Sequence, residues 1–380
     1  MSAKGYAWRV WCRLPPTQRR LVFRLLAMGS SLKVAPGTPS QRLSFVLSLL
    51  ARENILADGG HQAVRRLTTQ LAQSTSARRV IEVGSIPAQP HVSIVIPIYG
   101  KLDLLGPQIA LLADDEEIRN AEIILVLDSP ELEGEFVSLV HDLHALYGLA
   151  FRALVLNQND GYGIANNVAA SHATGSLLLL LNSDVFPESA GWLGQMTAAY
   201  RARAKVGALA PKLLYEDRAL QHAGMYFEHE PGRGWSNQHF FKGFPSTFAS
   251  ANVSREVPAV TGACLLIDRD LFVRAGGFDP VYAIGEYEDS DLCLRLSSMG
   301  YPSWYLAEVA LFHLERRSFA PHRSRQRAGA TRHNSWLHNN RWKAEMERLM
   351  ELHAQKESGA LATPTPSPAG DLPTPVETAP

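Results

Sequence analysis

Five consecutive leucines, Leu177 to Leu181, stop abruptly at Asn182-Ser183-Asp184. A run so short and so apolar reads as a strand buried on both faces, because a half-exposed strand would alternate with polar residues. Such strands belong to parallel sheets covered by helices, and open sheets of that kind hold ligands at the carboxyl ends of their strands. Here that end carries a carboxylate. Two more groups lie far away in sequence: the acidic stretch Glu286 to Asp291, and His313 after another apolar run. Two acidic clusters and a histidine suggest a divalent metal site with a spare carboxylate for base chemistry, and so an enzyme.

The stretch upstream repeats the same design. Val92 to Pro97, Ala121 to Leu127 and Phe151 to Leu156 read as apolar strands. Helical segments alternate with them at Leu102 to Leu112, Glu133 to Tyr147 and Tyr162 to His172. Strands that alternate with helices predict an α/β fold with a mostly parallel sheet flanked by helices. Beyond Asp184 the rhythm breaks. Tyr215 to Ser254 is rich in Gly, His and aromatic residues and reads as long loops. Strands are expected again at Val257 to Ile267 and Ser303 to Phe312, with helices at Arg269 to Ala275 and Asp289 to Met299.

The chain has 380 residues, enough for two domains or one large domain with extensions. Residues 1–88 are expected to form a helical, basic extension, with Arg9, Arg13, Arg19, Arg20 and Arg24 among Trp8, Trp11 and several apolar residues. That pattern suits either an amphipathic surface for an anionic membrane or a helical cap on the main domain. The main domain is expected at 89–345, divided at Asp184 into a 89–184 half and a 185–345 half. Residues 358–380, rich in Pro, Thr and Ala, lack a core and are expected to be disordered. Acidic and basic residues balance at 37 each, which gives no reason to expect nucleic acid, and none is expected. Three cysteines without CxxC spacing favour a reducing, cytoplasmic setting over a disulfide framework. No apolar run approaches the roughly 20 residues of a membrane span, and no signal peptide is expected.

Individual residues leave alternatives open. Asp184 suits Mg²⁺ or Mn²⁺ but could equally cap a helix. His313 is a candidate second ligand, or a structural histidine. Glu288, Asp289 and Asp291 crowd three carboxylates into four residues, although acids in a first helical turn also complement the helix dipole. Asn159 to Asn167 is a glycine-containing strand-to-helix turn that would admit a phosphate, without the third glycine of a dinucleotide fingerprint.

Together the residues resemble a known family. Val92-Ser93-Ile94-Val95-Ile96-Pro97-Ile98-Tyr99, the Asn159 to Asn167 run, Leu181-Asn182-Ser183-Asp184-Val185, Thr261-Gly262-Ala263-Cys264, and Gly276-Gly277-Phe278-Asp279 followed by Glu288 to Arg295 look like family 2 glycosyltransferases of the GT-A fold. The likeness spans roughly residues 90 to 315. Gln221-His222-Ala223-Gly224 also resembles a segment of bacterial members that build surface polysaccharides and rhamnose-containing glycans.

The resemblance implies roles. Asp184 would be the metal-binding acid of a DxD-type motif whose first position is here Asn182, with His313 as a late metal ligand and Mn²⁺ or Mg²⁺ as cofactor. Pro97, Tyr99, Asp128, Asn159, Gly161, Asn182 and Ser183 would join Asp184 in holding the nucleotide-sugar donor. Asp289 would be the catalytic base, with Thr261, Gly262, Trp235, Glu288 and Asp291 toward the acceptor, a glycan or lipid-linked glycan. Arg316, Arg317, Arg323, Arg325, Arg327 and Arg332 would hold a diphosphate, or rest on an anionic membrane at the inner face of the cell membrane. The implied reaction is inverting sugar transfer in cell-surface polysaccharide synthesis. Competing readings are a glycan-binding scaffold without activity and a nucleotidyltransferase, for which Gly100-Lys101-Leu102-Asp103 is a poor phosphate loop.

Overall fold

The computed structural model describes residues 38–51, 59–232, 234–314 and 324–362. In chain order the helices and strands are α1 (Pro39–Leu50), α2 (Gly59–Ser74), β1 (Ala77–Val83), β2 (Val92–Ile98), α3 (Leu105–Ala113), β3 (Glu122–Leu127) and α4 (Glu133–Tyr147). Then follow β4 (Phe151–Leu156), α5 (Tyr162–Ser171), β5 (Leu177–Leu181), β6 (Val185–Pro187), α6 (Trp192–Arg201), β7 (Leu209–Leu214) and β8 (Leu220–His222). The last are β9 (Met225–Glu230), β10 (Gly234–His239), β11 (Arg255–Val257), β12 (Cys264–Asp268), α7 (Arg269–Arg274), α8 (Glu288–Ser298), β13 (Ser303–His313) and α9 (Ser324–Ala362).

One sheet organises the described chain, in the order β1-β4-β3-β2-β5-β12-β7-β13-β11, with β6 and β8 added beside β13 and β7. The β4-β3-β2-β5 run is parallel. The leucine run is buried throughout, and alternate residues feed opposite layers. Leu179 and Leu181 pack with Ile94, Ile96 and Leu125, whereas Leu178 and Leu180 pack with Val95, Ile124 and Val126. Helices cover both layers, so neither face has a use for polar side chains.

Strand direction decides where the chemistry gathers. β12 is antiparallel to both β5 and β7, so β5 and β7 run the same way, and β13 is parallel to β7. The carboxyl ends of β3, β4, β5 and β13 therefore share one edge of the sheet with the amino end of β12. Asp128, the Asn157 to Gly161 turn, Asn182 to Asp184, Thr261 to Ala263 and His313 are the residues that this topology delivers there.

Three features differ from the sequence expectation. Residues 77–83, expected within a helical extension, form an edge strand antiparallel to β4. The expected 215–254 loops contain β8 and the β9–β10 hairpin. Helix α9 continues to Ala362, past both 345 and 358. The basic stretch before residue 38, Arg316, Arg317 and Arg323, and the tail from 363 lie outside the described residues. Helix α1 is capped by Thr38, whose side chain forms a capping box with Gln41, and Pro39 follows at the first helical position. It packs with α2 as a cap against α9, with Leu47, Leu50, Val64, Leu67 and Ala330 in a shared apolar cluster. No described helix is long and apolar enough to cross a membrane.

Candidate active site

Asp184 and His313 meet because β6 pairs antiparallel with the end of β13, setting Val185 opposite His313. The Leu314 N–H donates to the Asp184 carbonyl at 3.0 Å. His313 Nε2 then lies 3.3 Å from Asp184 Oδ1. On the other side of the ring, Nδ1 is 2.7 Å from Gln221 Oε1, while Gln221 Nε2 donates to the His313 carbonyl at 3.4 Å. The Gln221 amide thus presents an oxygen to Nδ1, which must donate. Nε2 is left facing a carboxylate, and two acceptors at that distance require a proton or a cation between them.

The surroundings fit a hard divalent cation. Asn182 Oδ1, at the first position of the motif, is buried with no hydrogen-bond partner. Among the described residues no third His, Cys, Asp or Glu joins the pair. An ion held by Asp184 and His313 would therefore complete its shell with substrate phosphate oxygens and water, as Mg²⁺ and Mn²⁺ commonly do. The motif itself is held by Gln108 of α3, which is fully buried and donates to the carbonyls of Asn182 and Val185 at 2.7 Å each.

The turn after β4 is built around Asp128. Its two carboxylate oxygens accept the N–H groups of Asp160 and Gly161 at 3.0 Å each, and Asn159 Nδ2 donates to the Asp128 carbonyl at 2.6 Å. Gly161 has φ 97° and sits so close to the chain that a Cβ would meet the Ile284 carbonyl oxygen at 2.7 Å. Pro97, Tyr99 and Ser183 are partly buried beside these turns. Asp128 is expected among the residues that hold the donor. Each of its oxygens accepts one backbone amide of the turn, which fixes the turn at this edge.

Asp289 stands across the same edge. It lies in the first turn of α8, where its Oδ2 accepts the Gly262 N–H at 3.0 Å and its Oδ1 accepts the Ser290 N–H at 2.8 Å. The Gly262 carbonyl accepts the Tyr162 hydroxyl at 2.7 Å, and the neighbouring Ala263 carbonyl accepts the Asn182 N–H at 2.9 Å. A single three-residue segment, Thr261 to Ala263, therefore ties the base candidate, the donor turn and the metal motif together. Burial pushes the Asp289 carboxyl above its usual range, with the hydrogen bond from Gly262 working against that shift. Next to it Glu288 is buried, its Oε2 has no hydrogen-bond partner, and burial and the Asp289 charge push it well above the carboxylate range.

The segment leading into α8 is strained. Ile284, Glu286 and Tyr287 have φ of 67°, 79° and 74°. Left-handed backbone at non-glycine residues costs roughly 1–3 kcal/mol each, and is worst for a β-branched residue such as isoleucine.

Four expected residues have other occupations. Asp291 is fully buried, and its oxygens accept from Arg295 Nε at 2.8 Å, Arg341 Nη1 at 2.8 Å, Trp342 Nε1 at 2.7 Å and the Tyr282 hydroxyl at 3.0 Å. Burial alone would raise its pKa, but the two arginines hold it below the usual value. It has no oxygen to offer an acceptor. Trp235 is half-buried on β10, its backbone bonded to Asn339 in both directions at 2.7 and 2.8 Å. Arg327 pairs with Glu286, and Arg332 donates to the Leu50 carbonyl at 2.8 Å, so both serve the fold. Gln108 escaped the sequence reading because a single glutamine in an apolar helix carries no signal. Gln221 was visible only as part of a motif without an assigned role.

Residues 93–274 match the family described as Glycosyl transferase family 2. The chain carries a family 2 glycosyltransferase domain. The parallel β4-β3-β2-β5 half, flanked by helices and continued by a mixed half, is the GT-A arrangement that this family implies. The chain is similar to the uncharacterized protein y4gI of Sinorhizobium fredii, with 28% identity over 66% of this chain and 28% of that protein. It is also similar to the O-antigen biosynthesis protein RfbC of Myxococcus xanthus, again 28% identical, over 66% of this chain and 20% of that protein. The chain thus spans less than a third of these two curated relatives. Among solved structures, that of GalNAc-T7 with UDP, GalNAc and Mn²⁺ superposes with a TM-score of 0.48 and 15% identity, over 60% of this chain and 44% of that one. The matched span of the glycosyltransferase domain ends before Asp289, His313 and α9.

Proposed function

We propose that this chain is a metal-assisted, inverting glycosyltransferase that moves a sugar from a nucleotide-sugar donor to a hydroxyl of a glycan or glycolipid. The observation that carries this reading is the edge itself. A carboxylate–imidazole pair stands at one side, a carboxylate of raised pKa at the other, and the Thr261 to Ala263 segment joins them. An ion bound by Asp184 and His313 would offset the charge that develops on a departing diphosphate. Gln221 fixes the imidazole so that Nε2 faces Asp184, where it would serve such an ion, and Gln108 fixes the motif backbone. The donor would lie over the 159–161 turn, where the amino end of α5 favours an anion. Asp289 would take the proton from the attacking hydroxyl. Its raised pKa improves it as a base at neutral pH, provided it remains ionised. Attack from the face opposite the leaving group inverts the anomeric centre in one displacement.

The likeness to an O-antigen biosynthesis protein favours a cell-surface polysaccharide acceptor. The reading is tested by titrating UDP-glucose, UDP-N-acetylglucosamine, GDP-mannose and dTDP-rhamnose into the protein with and without Mn²⁺. One donor should bind and be slowly hydrolysed only with the metal, and Asp184→Asn should abolish both. A protein that binds no donor at any Mn²⁺ concentration would contradict the reading and favour a glycan-binding role.

A further inference from the structure

One face of α9 carries polar residues at four- and three-residue spacing: Arg327, Thr331, Asn334, His338 and Arg341. This is the spacing of a helical stripe, and every member contacts the segment that leads into α8 or the first turn of α8 itself. Arg327 donates to the Glu286 carboxylate through Nε at 3.1 Å and Nη2 at 2.9 Å, and Thr331 donates to the same carboxylate. His338 Nδ1 lies 3.2 Å from the Tyr282 hydroxyl and its Nε2 3.5 Å from Ser290 Oγ. Arg341 pairs with Asp279 and Asp291 at 2.8 Å each.

Asn334 is the centre of the stripe. It is fully buried, and its side chain templates the strained backbone. Its Oδ1 accepts the Ala283 N–H at 2.9 Å. Its Nδ2 donates to the carbonyls of Ala283, Gly285 and Glu286 at 3.1, 2.8 and 3.0 Å. On its other side the same segment accepts the Tyr162 N–H on the Ile284 carbonyl at 2.8 Å, so it is clamped between the donor turn and α9. Left-handed residues persist only where their surroundings over-determine them. Here one amide bonds the backbone of Ala283, Gly285 and Glu286, the last of them three residues before Asp289.

We propose that Asn334 is a positioning residue. It holds the 283–287 segment, left-handed at residues 284, 286 and 287, on the path that seats Asp289 on the Gly262 amide, a role that rests on Asp289 being the base. A side chain with one acceptor and two donor hydrogens suits this task, whereas an apolar residue would leave four backbone groups without their partner.

The test compares Asn334→Ala, Asn334→Asp and the exposed control Asn340→Ala in the full chain by hydrogen–deuterium exchange and by Mn²⁺-dependent hydrolysis of the four nucleotide sugars above. Asn334→Ala should raise exchange at least 10-fold in peptides covering 283–291 while leaving those of β2 to β5 protected. Turnover should fall about 100-fold, the scale expected when a reacting group is displaced by about 1 Å, with the donor Kd unchanged. Asn334→Asp keeps the acceptor for Ala283 but turns a carboxylate oxygen onto three carbonyls, so it should be at least as damaging as Asn334→Ala, and Asn340→Ala should match the wild type. Unchanged exchange at 283–291 would overturn the proposal, as would increased exchange with full turnover. Asp289→Asn in the same assays separates the two ideas. If it destroys turnover while Asn334→Ala does not, the base stands and the positioning role falls. If Asp289→Asn retains turnover, the base reading itself fails.

Discussion

The two halves of the site are made by different physics. The donor half, from β2 to Asp184, is set by apolar burial. Its strands have no exposed face and carry their functional residues to the sheet edge, where Gln108 and Asp128 only trim the adjoining turns. The half around α8 is set by polar side chains that reach across the sequence, Asn334 to Gly285, Arg341 to Asp291 and Asp289 to Gly262, and its backbone is strained where the first half is relaxed. Apolar burial is non-directional and tolerant, so it suits a platform. Polar networks are directional and costly when incomplete, so they suit a group that must be placed within a fraction of an ångström.

Substitutions can break this contrast. The largest stability effect should come from the platform. Leu180→Ala is expected to cost about 2–5 kcal/mol in urea unfolding, while turnover per folded molecule changes little. Asp291→Ala should cost about 2–4 kcal/mol, below the range for a fully buried pair because Arg295 and Arg341 keep some access to water. Unlike Leu180→Ala, it should also lower turnover of the molecules that remain folded. If the two variants lose stability and activity in the same proportion, the distinction between the halves fails.

Finer effects sharpen it. Gln221→Ala should weaken apparent Mn²⁺ affinity about 10–100-fold in donor-binding titrations, since it removes the group that orients His313. Glu288→Gln should stabilise the fold slightly at neutral pH. The folded state holds the Glu288 proton more tightly than the unfolded chain does. Wild-type stability therefore falls as pH rises from the unfolded value, about 4.3, through the raised folded value, and the glutamine variant escapes that loss. Thermal melts at pH 4 and pH 8 should show the gain only at the higher pH. The raised Asp289 pKa should likewise move the acid limb of the turnover profile above the ordinary aspartate range.

Legibility in the sequence follows the same division. The leucine run, the alternation of strands and helices and the carboxylate at the end of β5 can all be read from periodicity, because apolar burial writes itself into the pattern. Strand β1 was missed because Arg78, Arg79 and Glu82 on an exposed edge look like a solvated extension. The sequence shows α9 only as a basic run, because its stripe is polar and its partners lie some 50 positions upstream. Asp291 shows the limit most clearly: beside Asp289 in sequence it looks like an active-site acid, and only the fold reveals Arg295 and Arg341 around it.

The most direct test of the central claim compares Asp289→Asn with wild type in two assays, Mn²⁺-dependent donor binding and turnover. The expected result is a donor Kd within about threefold of wild type and a turnover lower by about 10²–10⁴-fold, the range for loss of a general base. A variant that binds donor and turns it over at the wild-type rate would show that the carboxylate on Gly262 does no chemistry. A variant that loses donor binding would place Asp289 with the platform instead of across from it.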